Sequence, residues 1–294
     1  MNNDISDDDI RVIGRKPKTD NSGKRRTALL VGILVLIAAI VVVLILLLRQ
    51  NGADAEIVQQ DVDNKEESIP VEGSGDIATG QPTADTADFR CIDTIIEGVK
   101  IRIFESGNTA VSLAMFNEID TNPTDVVFAT QAANIRADNH NVIGDFVING
   151  EVKVKGCPND MYRGFCALLA DKLIIGKAEK TTFLDSAIIK NGSFYRHCAY
   201  VTGGAPEQFD DPKEAIRRAL CLKGGKVLVV ESVDIVTSSN FAQILHRLNV
   251  DNAVGLMGGK NLDEWYRTDS SRTVLYQNPY EPNLNRNYLI FRKK

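Results

Sequence analysis

Histidine and tryptophan are scarce in this 294-residue sequence, which has three histidines and one tryptophan. The histidines are scattered, with no HExxH motif and no pair four residues apart, and none of the five cysteines belongs to a CxxC pair. Common zinc sites need nitrogen and sulfur ligands that are clustered in this way. The sequence therefore predicts no metal site, and nothing in it points to a cofactor.

Loops that mark several large enzyme families are also missing. The sequence has no GxSxG elbow, no Walker A loop and no GxGxxG after a predicted strand, which counts against serine hydrolases, P-loop NTPases and dinucleotide-binding enzymes.

Residues 91–294 carry 24 basic and 24 acidic side chains. Because nucleic-acid binding relies on an excess of positive charge, we expect no nucleic-acid partner.

One long apolar run stands near the N-terminus. Residues 28–48 contain no charged side chain, and a helix of that length spans roughly the 30 Å hydrocarbon core of a bilayer. A cleaved signal peptide is the alternative, but its apolar region would be shorter. Residues 1–27 carry seven basic and five acidic side chains, so we expect a transmembrane helix with its N-terminus in the cytoplasm.

The net charge of −5 comes from the segment that follows this run. Residues 49–90 carry three basic and ten acidic side chains and show no sustained apolar pattern. Such a segment cannot bury enough surface to offset its ordering entropy, so it is expected to be a disordered stalk. A ligand-binding acidic arm is the alternative. The predicted parts are a basic tail (1–27), a transmembrane helix (28–48), the stalk (49–90) and an extracytoplasmic domain (91–294).

The distal domain shows the alternation and short apolar runs that are typical of strands. The strand candidates are residues 99–104, 111–116, 126–129, 227–230 and 287–291. Three dipeptides favour two-residue hairpin turns because their residues accept positive φ: Asn149-Gly150, Asn191-Gly192 and Gly224-Gly225.

Two helices are predicted among these strands. Residues 239–248 place four large apolar side chains on one face after a serine cap, and a shorter helix is expected to start at Asp211-Pro212 and include Arg217 and Arg218. The predicted fold is α+β: a large mixed, mostly antiparallel sheet with hairpins and a few packed helices, preceded by one transmembrane helix.

All five cysteines lie beyond the predicted membrane segment, where disulfides are permitted. They are Cys91, Cys157, Cys166, Cys198 and Cys221. The odd number leaves at least one thiol free, and the spacing does not decide the pairing. Cys198 and Cys221 lie inside apolar runs, so we interpret them as buried and inert.

Several motifs occur in one order along the chain. They are ATQAAN (129–134), GDFVING (144–150), RRALC (217–221), KVLVVES (226–232), FAQILHRL (241–248) and NVDNAVGLMGG (249–259). This order resembles the phosphodiester glycosidase family, that of N-acetylglucosamine-1-phosphodiester alpha-N-acetylglucosaminidase, over about half of the chain. The resemblance implies an α+β hydrolase fold that acts on glycosidic phosphodiesters or cell-surface glycans.

The resemblance also assigns motif positions to residues of this chain. The first Asn of the family falls on Gln131, its Arg on Arg217, and its D-G-G on Met257, Gly258 and Gly259. The thioether of Met257 cannot act as an acid, a base or a metal ligand in place of Asp, and Gln131 cannot titrate. Arg217 keeps a planar fork for phosphate or carboxylate. The alternative is that Arg217 caps a surface and the glycines merely turn the chain.

From these assignments we expect ligand-binding residues at Gln131, Asn134, Arg136, Arg217, Gly258 and Gly259. Catalytic residues are not decided, and the nearby carboxylates that would substitute for the missing Asp are Asp145, Glu231, Asp263 and Glu264. Trp265 and Tyr266 would suit stacking on a sugar ring, although an aromatic pair near a C-terminus more often serves packing.

These observations lead to two functional hypotheses. The first is a membrane-anchored phosphodiester-glycosidase-like domain that acts on or binds envelope glycans or glycosyl phosphates, located in the periplasm of a bacterium and anchored in its inner membrane. The second is a non-catalytic interaction module that holds a protein or glycan partner at the membrane. The sequence does not assign an oligomeric state.

Overall fold

A computed structural model gives the structure of part of the chain. It describes residues 77–80, 89–116, 124–136, 141–156, 160–170, 172–268, 271–280 and 286–294. All of these residues belong to one compact unit, Ile69–Lys294.

Eighteen strands form within these residues. In chain order they are β1 (Ile77–Gly80), β2 (Arg90–Ile96), β3 (Val99–Glu105), β4 (Thr109–Met115), β5 (Val126–Gln131), β6 (Phe146–Ile148), β7 (Glu151–Val154), β8 (Gly164–Leu169), β9 (Lys172–Lys177), β10 (Ser193–His197), β11 (Ala199–Thr202), β12 (Ala205–Pro206), β13 (Arg218–Lys223), β14 (Lys226–Ser232), β15 (Asn252–Leu256), β16 (Glu264–Thr268), β17 (Ser271–Tyr276) and β18 (Asn287–Lys293).

The strands form three sheets, in which every recorded pair is antiparallel. The first sheet has the order β1-β9-β8-β10-β6-β7, the second β12-β11-β15-β13-β14-β3-β2, and the third β17-β16-β5-β18-β4. Tight turns connect many neighbouring strands, and antiparallel pairs need no long crossover. The first strand, β1, lies inside the segment that the sequence predicts as a stalk.

All three sheets contribute side chains to one apolar core. Phe104 of the second sheet and Phe128 of the third are fully buried, with ring centroids 4.5 Å apart. Phe291 lies 5.2 Å from Phe128, and Phe146 and Tyr195 extend the core into the first sheet. This core holds the third sheet, which carries much of the candidate site, against the other two.

Two α-helices pack on the sheets within the described part of the chain. Helix α1 (Thr182–Ile189) is capped by Thr181 and buries Phe183 and Ala187. Helix α2 (Ser238–Arg247) is capped by Thr237, whose hydroxyl accepts a hydrogen bond from Asn240 N. The amphipathic helix predicted over residues 239–248 is therefore confirmed.

The predicted fold class is wrong. Three separate antiparallel sheets with two short helices replace the single large mixed sheet of an α+β domain. No helix in the described residues is long and apolar enough to cross a membrane, and residues 28–48 lie outside them.

Two local predictions are also wrong, for identifiable reasons. Residues 211–217 form no helix. Asp211 Oδ1 accepts a hydrogen bond from the backbone amide of Lys213 in a turn, and Ala215 forms an isolated antiparallel β-bridge with Val236. The dipeptide Asn191-Gly192 does not join two strands but connects α1 to β10. Asn191 has a φ of 53°, which also suits the end of a helix.

The other two hairpin predictions are confirmed. Asn149-Gly150 joins β6 to β7, and Gly224-Gly225 joins β13 to β14. All four residues have positive φ, as such turns require. The thiols of Cys91, Cys166, Cys198 and Cys221 are free, and Cys157 lies outside the described residues.

The core makes a direct prediction for stability. Replacing Phe128 with Ala is expected to lower the free energy of unfolding by about 3–5 kcal/mol, because the cavity lies between two sheets and cannot collapse easily. Ile95 is 67% exposed, so Ile95→Ala should change the free energy of unfolding by only about 0.5 kcal/mol. Urea unfolding measures both values. Equal effects of the two substitutions would contradict this assignment of the core.

Candidate functional site

Three fully buried charged side chains meet where the second and third sheets pack together. Arg218, Glu231 and Glu264 have no exposed surface. The Arg218 guanidinium donates from Nε to Glu264 Oε2 at 3.0 Å, and its Nη2 contacts the Glu231 carboxyl group. Its Nη1 donates to the carbonyls of Met257 and Gly259, at 3.2 and 2.8 Å. The Arg218 side chain therefore connects β13, β14, β16 and the loop after β15. We call Arg218, Glu231 and Glu264 the buried charge triad.

The electrostatics of the triad favour a proton on one carboxyl group. Burial, followed by the charge of Glu264, raises the pKa of Glu231 to about 9, although Arg218 and Arg102 oppose this rise. Burial also disfavours the charged form of Arg218, but Glu264 and Glu231 outweigh it and raise the pKa of Arg218. Glu231 therefore keeps its proton at neutral pH, which leaves the triad with balanced charge.

Tyr276 covers the triad on its outer side. Its ring centroid lies 4.7 Å from the Arg218 guanidinium carbon, and its hydroxyl points to Glu231 Oε1 at 3.5 Å. Burial, followed by the charge of Glu231, raises the pKa of Tyr276. The tyrosine separates the buried charges from an outer cleft.

That cleft has a volume of 270 Å³ and lies beside the end of the third sheet. Its lining residues are Asp263, Trp265, Arg272, Val274, Tyr276 and Gln277. We call it the β16–β17 cleft. The Arg272 guanidinium carbon lies 4.3 Å from the Trp265 ring centroid. Burial, followed by the charge of Arg267, lowers the pKa of Arg272. The cleft thus combines a carboxylate, a guanidinium, an amide and a phenol, which suits a polar ligand with a negative group.

Asp263 is held rigidly at one end of the cleft. Its Oδ1 accepts the amide of Asn278 at 2.9 Å, and its Oδ2 accepts from the Tyr288 hydroxyl at 2.7 Å and from Arg286 at 3.2 Å. The amide of Asp263 donates to Gln131 Oε1 at 3.1 Å. These contacts hold the Asp263 carboxylate in one position beside the cleft.

Gln131 lies behind Asp263 and is fully buried. Its Oε1 also accepts from Asn278 Nδ2 at 3.1 Å. Two donors converge on Oε1, so the orientation of the amide is determined, and Nε2 has no hydrogen-bond partner in the part of the chain that the structure describes. Buried donors without a partner are uncommon and often occur at functional sites.

The structure brings some of the predicted site residues together. Gln131 and Asp263 share a hydrogen bond beside the β16–β17 cleft, and Gly259 contacts the buried charge triad through its carbonyl. Met257 N donates to Ala132 O at 2.8 Å, so the chain segments that contain Met257 and Gln131 are hydrogen-bonded to each other.

Other predicted residues lie elsewhere. Asn134 donates to the Tyr162 hydroxyl at 2.9 Å, and Arg136 donates its backbone amide to Asn141. Arg217 donates to the carbonyls of Lys213 and Val236 and does not line the β16–β17 cleft.

Steric and ionic contacts account for three further candidates. A Cβ at Gly258 would lie 2.8 Å from Ile216 O, so this glycine permits close packing of two segments. Asp145 pairs with Arg196 at 3.0 Å and is not part of the β16–β17 cleft. Trp265 is only 5% exposed and is stacked by Arg272, so it presents little surface for a sugar.

Sequence reasoning missed Arg218, Arg272 and Tyr276. A usable signal existed for Arg218: counting outward from the Gly224-Gly225 turn pairs it with Glu231, in register with the observed sheet. An Arg opposite a Glu inside two apolar strands indicates a buried ion pair. Strand β17 gives no comparable signal.

Within the described residues, no three potential ligands are close enough to hold a metal ion.

Comparisons with known proteins support the fold only. No protein-family model and no curated protein matches the chain. The catalytic domain of zebrafish N-acetylglucosamine-1-phosphodiester alpha-N-acetylglucosaminidase, auto-inhibited by its pro-peptide, is similar with a TM-score of 0.53 and 12% identity, over 75% of this chain and 88% of that one. A hypothetical protein from Synechocystis has a TM-score of 0.46 and 11% identity, over 69% and 62%. The first of these matches shows that the fold of the chain is similar to that of the zebrafish catalytic domain.

The triad predicts how stability depends on pH. The native state keeps a proton on Glu231 that the unfolded state releases above the usual value of 4.5, so stability should fall as the pH rises from there toward about 9. The contribution is at most about 1.4 kcal/mol per pH unit. Glu231→Gln should flatten this slope in urea unfolding measured across the range. Glu97→Gln, at an exposed ion pair, is the control, and an unchanged slope in Glu231→Gln would contradict the assignment.

Proposed function

We propose that this domain binds a glycosyl phosphate in the β16–β17 cleft and does not hydrolyse it. The observation that carries the proposal is the lining of the cleft, where Arg272, Tyr276 and Asp263 surround a volume of 270 Å³. Drug-sized ligands occupy pockets of about 300–1,000 Å³. A volume just below that range suits a single sugar ring with its phosphate.

Arg272 is suited to the phosphate. Its guanidinium is held in place by stacking on Trp265, so little conformational freedom would be lost when a ligand binds. The charge of Arg267 acts on Arg272, which makes the local potential more positive. A planar guanidinium binds two phosphate oxygens at once, and such charge-assisted hydrogen bonds are stronger than neutral ones.

The sugar would lie toward Tyr276 and Asp263. The Tyr276 ring offers an apolar surface, and it is fixed from behind by Arg218. Asp263 presents a carboxylate whose position is fixed by Asn278, Tyr288 and Arg286. Sugar hydroxyls donate well to carboxylates, and sugar C–H groups pack on aromatic faces.

The same geometry disfavours hydrolysis. A general acid or base must reach the reacting atoms within about 3 Å, but Glu231 and Glu264 are fully buried, and Tyr276 covers the triad. Position 257 holds Met where the family that the sequence resembles has Asp. Binding without turnover fits these side chains better than catalysis.

The name of the zebrafish enzyme indicates a phosphodiester of N-acetylglucosamine as the substrate of that protein, which suggests the class of ligand to test first. Envelope glycans as the source of the ligand, and the location of the domain in the cell, stay predictions from the sequence.

Calorimetry with N-acetylglucosamine 1-phosphate and the purified full-length chain tests the proposal. We expect saturable binding that Arg272→Ala weakens by about tenfold or more, because one charge-assisted interaction is lost. Arg292→Ala removes an Arg that pairs with Asp125 outside the cleft, and it should leave the affinity unchanged. The proposal fails if the chain does not bind this compound or if the two variants bind equally well.

A second substitution tests the role of the ring. Tyr276→Phe keeps the aromatic surface and should retain most of the affinity, whereas Tyr276→Ala should lose about tenfold or more. The same calorimetric titration measures both variants. Continuous assay of free phosphate and free sugar during the titration should show no release, and measurable turnover would contradict binding without hydrolysis.

A further inference from the structure

A second cleft lies where the first and second sheets meet. It has a volume of 330 Å³, against 270 Å³ for the β16–β17 cleft, and the two clefts share no lining residue. The first sheet contributes side chains next to β8 and at the end of β9, and the second sheet contributes the loop after β12. We call it the Phe209 cleft. Its lining includes Met161, Arg163, Lys177, Phe209, Asp210 and Asp211.

The loop that carries Phe209 is held in place by contacts within the protein. The amide of Phe209 donates to Ser239 Oγ at 3.1 Å, and the Ser239 hydroxyl donates to the Phe209 carbonyl at 3.0 Å. The Phe209 ring centroid lies 5.4 Å from that of Tyr200, which is buried against Phe241 of α2. An apolar surface that is already fixed loses little conformational freedom when a ligand binds, which favours affinity.

Two of the charges at this cleft compensate each other. Lys177 Nζ lies 2.6 Å from Glu207 Oε2, and the Thr202 hydroxyl donates to Glu207 Oε1 at 2.7 Å. Both oxygens of Glu207 therefore have a partner within the protein. The ion pair joins the first sheet to the loop after β12 and needs no ligand.

The charges that remain have opposite signs and come from different sheets. The Asp210 carboxylate forms no hydrogen bond or ion pair with the residues that the structure describes. Asp211 Oδ1 accepts from the Lys213 amide at 2.9 Å. Arg163 directly precedes β8, and its backbone is fixed by a hydrogen bond from Ala178 N to its carbonyl at 2.8 Å. Its guanidinium has five donors and suits a carboxylate.

We propose that the Phe209 cleft binds a small zwitterion, an amino acid or a short peptide with an apolar side chain. The ammonium group of the ligand pairs with Asp210 and Asp211, and its carboxylate pairs with Arg163. The apolar side chain packs on the Phe209 ring and on Met161.

Other classes of ligand fit these side chains less well. A phosphate would bring its negative charge against Asp210 and Asp211. A neutral sugar would displace water from the charged groups without supplying an opposite charge. Among the described residues, no three potential ligands are close enough to hold a metal ion. Because the two clefts have no lining residue in common, this inference does not depend on the proposed function.

Calorimetry of the full-length chain with leucine and, separately, with the dipeptide alanyl-leucine tests the inference. We expect saturable binding of at least one of them, and the tighter of the two indicates the length of the ligand. Acetylation of its amine and amidation of its carboxylate should each weaken binding by about tenfold or more, because each removes one charge-assisted contact. Binding of neither compound would overturn the inference, and so would equal binding of the modified and unmodified forms.

Substitutions on the two sides of the cleft locate the binding. Asp210→Asn and Arg163→Gln should each weaken binding of the unmodified ligand by about tenfold or more, and both side chains are exposed, so the fold should be retained. Glu97→Gln and Arg247→Gln change an exposed ion pair outside the cleft and should leave binding unchanged. Equal affinities of all four variants would contradict the inference. Asp210→Asn should still bind N-acetylglucosamine 1-phosphate as the native chain does, which separates failure of this inference from failure of the proposed function.

Discussion

The arrangement of the candidate site depends on one buried guanidinium. Arg218 contacts two carboxyl groups and two backbone carbonyls, and these four partners belong to the second sheet, the third sheet and the loop after β15. A charge with no exposure to solvent is tolerated only when such partners replace water. Loss of Glu264 would leave the buried guanidinium without a counter-charge, so the position of β16 relative to β13 is strongly constrained.

The outer features of the site follow from this contact. Tyr276 lies on the guanidinium and forms part of the wall of the β16–β17 cleft, so the buried charge triad determines the position of this ring without itself lining the cleft. The residue before Arg218, Arg217, faces the other side of the sheet, where its guanidinium donates to the carbonyls of Lys213 and Val236.

Local signals explain which parts of the fold were predictable. The turns at Asn149-Gly150 and Gly224-Gly225 were predicted because positive φ restricts the choice of residues, and α2 because its apolar face repeats at helical spacing. Helix α1 was missed, since the short apolar run before Asn191 suits either a strand or a buried helix. The division into three sheets depends on pairs such as β4 with β18, which are far apart in the sequence. Asp263 and Gln131 were found from chemistry and motif position, but Arg272 and Tyr276 lie on a strand whose residues show no unusual pattern.

The central claim is that Arg218 lies between two buried carboxyl groups, of which Glu231 keeps its proton at neutral pH. A ¹³C titration of the glutamate side-chain carboxyl signals measures this directly, with Glu231→Gln used to assign the signal. The account predicts one carboxyl that stays protonated at neutral pH, titrates with a midpoint of about 9 and is absent from the variant. Titration of every glutamate close to the usual value of about 4.3 would contradict it.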